Sequence, residues 1–192
     1  GRSIATKVAQ AGLNVSLKEV SQEALENTKR ELEKSLDHEI ARFGLTSSEK
    51  KAILSRIRLV TTFDAIGDAD LAIETVQEDP ALKRQILREL DHRLTADHPI
   101  VINTSTLSIT ELAADASRPE RIHGMHFLYP VTTTRVVEVV RGQMTSDEVY
   151  ERAIEFGRLL GKIPIKVFEM PSFVTTRVAL PLVNEAMHVV ME

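Results

Sequence analysis

Two rhythms of apolar positions alternate along this chain, one helical and one extended. The opening run "GRSIATKVAQAG" places Ile4, Val8 and Ala11 on one face at helical spacing, with Gly12 as a stop. "NVSL" reads as a short strand ending at Lys18 and Glu19. Ser21 is suited to cap a long helix whose apolar stripe is Leu25, Leu32, Leu36, Ile40 and Phe43, stopped by Gly44. "TSSE" (Thr46 to Glu49) has the form of a capping box and opens a helix carrying Ile53, Leu54 and Ile57.

Further on, "RLVTTF" and "DLAIETV" have strand length, and "PALKRQILRELDHRL" is helical with Pro80 in its first turn. "PIVINTS" is a near-continuous apolar run, the pattern of a strand buried on both faces of a parallel sheet. "HGMHFL" and "RVVEVV" follow as strands, then a helix from Ser146 to Gly161 and the strand "KIPIKVF". Such alternation predicts an α/β domain with a mostly parallel sheet and flanking helices. Near Pro171 the pattern becomes helical alone, which places a domain boundary there. No internal repeat interrupts the order.

Composition narrows the class. The 192 residues are 43% hydrophobic and 27% charged, with a formal net charge of −4. That balance gives no basic surface for nucleic acid and no polybasic patch for a membrane. No apolar run approaches the roughly 18 residues of a membrane span. The absence of cysteine excludes disulfides and thiolate metal sites and is compatible with a reducing cytosol. The chain begins within a helical pattern, without an initiator methionine, and ends in the apolar run "RVALPLVNEAMHVVME". We therefore expect a piece of a longer protein, cut at both ends.

Three features have candidate chemistry. Glu19 closes the second element of a strand–helix–strand unit, where dinucleotide-binding folds hold the adenosine ribose; a solvated charge at a strand end is the plain alternative. "NTSTLSIT" (Asn103 to Thr110) puts small polar groups at the carboxyl end of a buried strand, either to meet a ligand or to cap the next helix. His126 lies in an apolar run twelve residues before Glu138 in another. A core histidine is the plain reading. A base with its orienting carboxylate is the functional one, because a carboxylate on the far ring nitrogen fixes the tautomer and stabilises the imidazolium. His123 and His126 point to opposite faces of a strand, which argues against a metal pair. The charge-rich "DEVYER" and "KRELEKSLDHE" read as solvated helix faces.

The runs "AQAGLNVSLKEVSQEAL", "DADLAIETVQEDPALKRQIL", "INTSTLSITELAA", "RPERIHGMHF", "VVEVVRGQMTSDE" and "GKIPIKVFEMPSFV" together resemble the L-3-hydroxyacyl-CoA dehydrogenase family, especially its short 3-hydroxybutyryl-CoA form. The likeness covers nearly the whole chain in order and spacing. It implies a Rossmann-like NAD-binding domain over residues 1–170, whose first strand and first two phosphate-loop glycines precede Gly1. Residues 171–192 would begin an all-helical C-terminal domain that forms a homodimer. The implied protein is a cytoplasmic NAD-dependent enzyme interconverting (S)-3-hydroxyacyl-CoA and 3-oxoacyl-CoA.

By the same resemblance, His126 is the general base, Glu138 its orienter, and Ser105 a hydrogen-bond donor to the reacting oxygen. Gly1 and Glu19 would touch the pyrophosphate and ribose of the dinucleotide. Glu78, Lys83 and Asn103 would line its nicotinamide side, and Ser35 falls where the family contacts coenzyme A. Lys18 beside Glu19 introduces a cation, yet Glu19 would repel a 2′-phosphate, so NAD is expected rather than NADP. The chain departs from the family at "HFLYP", where an asparagine that helps hold substrate is Tyr129. In "PSFVTTR" a glycine is Ser172 and an active-site asparagine is Thr176. These changes leave two other readings open: a related dehydrogenase of a free or carrier-bound hydroxy acid, or a relative that binds ligand without turnover.

Overall fold

The computed structural model describes residues 1–42, 44–66, 68–94 and 98–191. Helix α1 (Arg2–Gln10) passes to strand β1 (Val15–Lys18) through Gly12, whose φ of 89° lies in the left-handed region that glycine enters freely. Helices α2 (Gln22–Ala41) and α3 (Ser47–Ser55) separate β1 from β2 (Ile57–Val60), and the two strands pair in parallel. The Ser21 hydroxyl accepts from the Ala24 N–H at 3.1 Å, and Thr46 and Glu49 form the reciprocal capping box. Leu32 and Leu36 of the α2 stripe are buried and Leu25 and Ile40 half-buried; Phe43 lies outside the described residues.

The second half builds a five-stranded sheet. Strands β3 (Ala72–Glu74), β4 (Ile100–Asn103), β5 (Ile122–Phe127), β6 (Val136–Arg141) and β7 (Ile163–Phe168) lie side by side in chain order. All neighbours are parallel except β5 and β6, which run antiparallel. Helix α4 (Pro80–Arg93) joins β3 to β4, α5 (Ile109–Ala113) joins β4 to β5, and α6 (Asp147–Leu159) joins β6 to β7. Helix α7 (Thr175–Met191) follows, with no buried residue and Pro181 within it.

Alternate strand residues feed two cores. Val101, Met125, Val137 and Val139 pack with Ile4 and Val8 of α1 and Ile154 of α6. Ile100, Ile102, Ile122 and Val140 face the other way, toward Leu87 of α4 and Ile109 of α5. Burial on both faces explains why the β4 run is continuously apolar.

Two strands are shorter than their apolar runs predict. "RLVTTF" stays extended only to Val60 and coils into a 3₁₀ turn at Phe63–Ile66. "DLAIETV" forms a strand only over Ala72–Glu74, because the Glu74 carboxylate turns back to accept the Val76 N–H at 2.5 Å. A side-chain acceptor there replaces a ladder bond and ends the strand.

Candidate active site

β5 and β6 bring the central pair together. Antiparallel register sets His126 directly opposite Glu138, and Nδ1 of the imidazole lies 2.6 Å from Glu138 Oε2. The Glu138 side chain is fully buried and that of His126 retains 12% exposure. Burial acts to raise the Glu138 pKa. Hydrogen bonds from His126, the Thr175 N–H and the Thr175 hydroxyl outweigh it, so the carboxyl is held below its ordinary value and stays ionised. An ionised acceptor on Nδ1 selects the tautomer whose lone pair is on Nε2, which leaves that nitrogen free to act as a base. The Phe173 ring, tilted by 54° at 5.9 Å, covers one side of the imidazole.

The chain leaving β5 is fixed from below. Lys162 Nζ donates to the carbonyls of Val131 and Thr134 at 2.6 and 2.7 Å, tying residues 128–135 to the start of β7. Tyr129 precedes a cis proline in this segment and is 88% exposed. Thr176 is half-buried in the first turn of α7, next to Thr175.

The loop after β4 is built around buried charges. Lys83 has no exposed side-chain surface; its Nζ meets Glu74 Oε2 at 2.9 Å, the Asn103 carbonyl at 2.9 Å and Glu78 Oε2 at 3.4 Å. Burial raises the Glu74 pKa against the pull of Lys83. Glu78 Oε1 accepts the Ser105 N–H at 3.1 Å and the hydroxyls of Thr104 and Thr106. For Glu78 too burial acts upward, and the Thr104 hydroxyl, the Ser105 N–H and Lys83 bring its pKa below the ordinary value. Glu78, Lys83, Asn103 and Ser105 therefore form one network. Lys83 sits behind its surface rather than on it. Asn103 pairs with Met125 across the sheet, which sets this loop beside the end of β5 and His126.

The remaining residues lie at the ends of β1 and β3. A Cβ built on Gly1 would come within 2.8 Å of Thr75 Oγ1 and 3.6 Å of Leu17 Cδ1, so the head of α1 is wedged between the two strand ends. Glu19 Oε1 accepts the Thr28 hydroxyl at 2.6 Å, and Lys18 Nζ stacks 4.5 Å over the Phe63 ring. Ser35 is apart from both groups, exposed on α2 in a shallow depression with Glu31, Lys34, Asp37 and His38.

Sequence reasoning missed Glu74, Thr28 and Thr175, each of which holds a predicted residue. It also missed Glu169, which accepts from the Ser108 hydroxyl and from both the N–H and hydroxyl of Thr110 at the start of α5. Their partners are 9 to 61 residues away, beyond any local pattern. Glu74 and Glu169 nevertheless lie inside runs that carry the family likeness, and Thr175 lies two residues past its "PSF".

A largely parallel α/β sheet with its polar loops gathered at the carboxyl ends of β3, β4 and β5 is a Rossmann-like nucleotide-binding architecture. Residues 1–170 match the family model described as "3-hydroxyacyl-CoA dehydrogenase, NAD binding domain", and the chain belongs to that family. It is 38% identical over 193 residues to the probable 3-hydroxybutyryl-CoA dehydrogenase of Bacillus subtilis, covering all of this chain and 67% of the relative. The crystal structure of an (S)-3-hydroxybutyryl-CoA dehydrogenase from Ralstonia eutropha superposes with a TM-score of 0.93 at 38% identity, over 97% of this chain and 66% of that one. A 5-formyl-3-hydroxy-2-methylpyridine 4-carboxylic acid 5-dehydrogenase, described as an NAD+-dependent dismutase, matches at 0.87 and 30% over 100% of this chain and 62% of that one. The chain spans about two thirds of the length of these proteins.

Proposed function

We propose that the protein is an NAD-dependent dehydrogenase interconverting (S)-3-hydroxyacyl-CoA and 3-oxoacyl-CoA, with His126 as general base and Glu138 as its orienter. The observation that carries this is the 2.6 Å contact between His126 Nδ1 and the buried, ionised Glu138. Nε2 takes the 3-hydroxyl proton, and Glu138 stabilises the imidazolium that results. Ser105 donates to the same substrate oxygen from the loop that Glu78 and Lys83 fasten.

The close approach at Gly1 fits a dinucleotide, because a side chain there would fill the space between α1 and β3 that a pyrophosphate needs. Glu19 fits the adenosine ribose, while Glu78, Lys83 and Asn103 form and support the surface for the nicotinamide side. Bound NAD supplies the hydride acceptor. Ser35 on the exposed face of α2 would meet coenzyme A. Assembly as a homodimer belongs to the same reading, supported by the exposed apolar residues Leu180, Val183, Met187 and Val190 of α7. A cysteine-free chain suits a cytoplasmic enzyme. Among the described residues no helix is long and apolar enough to cross a membrane.

A second reading rests on Tyr129 and Thr176, which flank the pair where the family carries asparagines, and on the likeness to the pyridine-carboxylate dehydrogenase. There the substrate is a free or carrier-bound hydroxy acid. NADH-linked reduction of acetoacetyl-CoA and of free acetoacetate by the full-length protein separates the two. The first reading expects kcat/KM roughly 10²-fold or more higher with the thioester, since remote coenzyme A contacts contribute to the transition state. Preference for the free acid establishes the second, and NADH binding without turnover on either establishes a ligand-binding relative.

A further inference from the structure

Four donors converge on the carboxylate of Glu138. The N–H groups of Val174 and Thr175 reach Oε1 at 3.0 and 2.8 Å. His126 Nδ1 at 2.6 Å and the Thr175 hydroxyl at 3.0 Å share Oε2. The two backbone donors persist with any residue but proline at 175. The hydroxyl depends on threonine being there. We propose that Thr175 is a positioning residue for the His126–Glu138 pair, its hydroxyl sharing Oε2 with the imidazole and so moderating the basicity of His126.

This rests on the reading of His126 as the base. A carboxylate oxygen divides its negative charge among the donors it accepts, so each added donor weakens the hold on the others. The hydroxyl of Thr175 therefore draws Oε2 away from His126 and reduces the stabilisation of the imidazolium. It also fixes the plane of the carboxylate, since Oε1 is held by two N–H groups and Oε2 by the hydroxyl. The remaining lone pair of Oε2 is then directed at β5.

The position of Thr175 is itself determined by packing. Ser172 and Phe173 both adopt left-handed φ values, 65° and 49°, which turn the chain so that the first N–H groups of α7 meet β6. Phe173 is fully buried and anchors that turn in the core. β6 presents the charged Glu138 to His126, and the turn into α7 sets the Phe173 ring beside the imidazole and the neutral Thr175 hydroxyl on Glu138.

Thr175→Val keeps the branched shape and both backbone donors and removes the hydroxyl; Thr175→Ser restores it. The test is the NMR titration of the His126 ring in the full-length protein, with the pH profile of NADH-linked acetoacetyl-CoA reduction beside it. Thr175→Val should move the titration of the His126 ring to higher pH. The alkaline limb of kcat/KM for reduction, where the imidazolium is lost, should move up with it, and Thr175→Ser should follow wild type. An unchanged titration in Thr175→Val, or a serine variant that behaves like valine, overturns the proposal. The titration needs no turnover. A wild type that fails on acetoacetyl-CoA thus defeats the functional reading alone, while an unchanged titration in an active enzyme defeats only the role of Thr175.

Discussion

His123 and His126 leave β5 three residues apart and meet opposite environments. The ring of His126 has a carboxylate, whereas neither ring nitrogen of His123 has a hydrogen-bond partner among the described residues. Burial pushes the His123 pKa down from 6.5 to about 4. Between those values the unfolded chain binds a proton that the native state refuses, so the contribution of this side chain to stability falls as pH drops from about 6.5 toward 4 and levels off below. The loss attributable to this side chain is about 3 kcal/mol. Urea unfolding across that window should show His123→Leu losing correspondingly less stability than wild type; parallel curves would contradict the assignment. At this scale the helix caps Ser21, Thr46 and Ser146 were legible, because each acts within three residues of itself. The Glu74–Lys83 ion pair was not. Its two charges are stable in the interior only because they face each other, and nothing local in the chain announces that meeting.

At the scale of elements, the strands β5 and β6 were readable as short apolar runs, and a partnership of His126 with Glu138 from the need to pair buried polar groups. The direct cross-strand opposition is a matter of antiparallel register, which the turn at residues 128–135 and its Lys162 anchor determine. Strand lengths were less legible, since side-chain acceptors such as Glu74 end strands that their apolar runs would extend. The turn into α7 carries a measurable cost. Ser172 holds a φ of 65° that disfavours any residue with a Cβ. Ser172→Gly should therefore stabilise the protein by about 1 kcal/mol in thermal or urea unfolding, after allowance for the greater freedom of the unfolded chain. Equal or lower stability would mean that the serine side chain contributes more than its backbone costs.

At the scale of the molecule, periodicity reported how each element is buried but not which strand it adjoins. The described residues form a two-stranded sheet, β1–β2, and a five-stranded sheet, β3 to β7, with Gly1 between the ends of β1 and β3. That arrangement brings residues from four separate segments, near 75, 103, 126 and 138, to one end of the larger sheet. The exposed apolar face of α7 was legible as a change of pattern near Pro171, and its exposure follows from having no partner among the described residues. What unites these scales is the His126–Glu138 pair, proposed to transfer the proton, which β5 and β6 set in register and the turn into α7 holds ionised. Single-turnover reduction of acetoacetyl-CoA, compared between the full-length protein and its His126→Ala variant with NADH affinity measured in both, tests that most directly. Loss of about 10²–10⁴-fold in the chemical step with NADH affinity nearly unchanged is the expected result. Retained turnover, or loss of NADH binding together with turnover, would contradict His126 as the base.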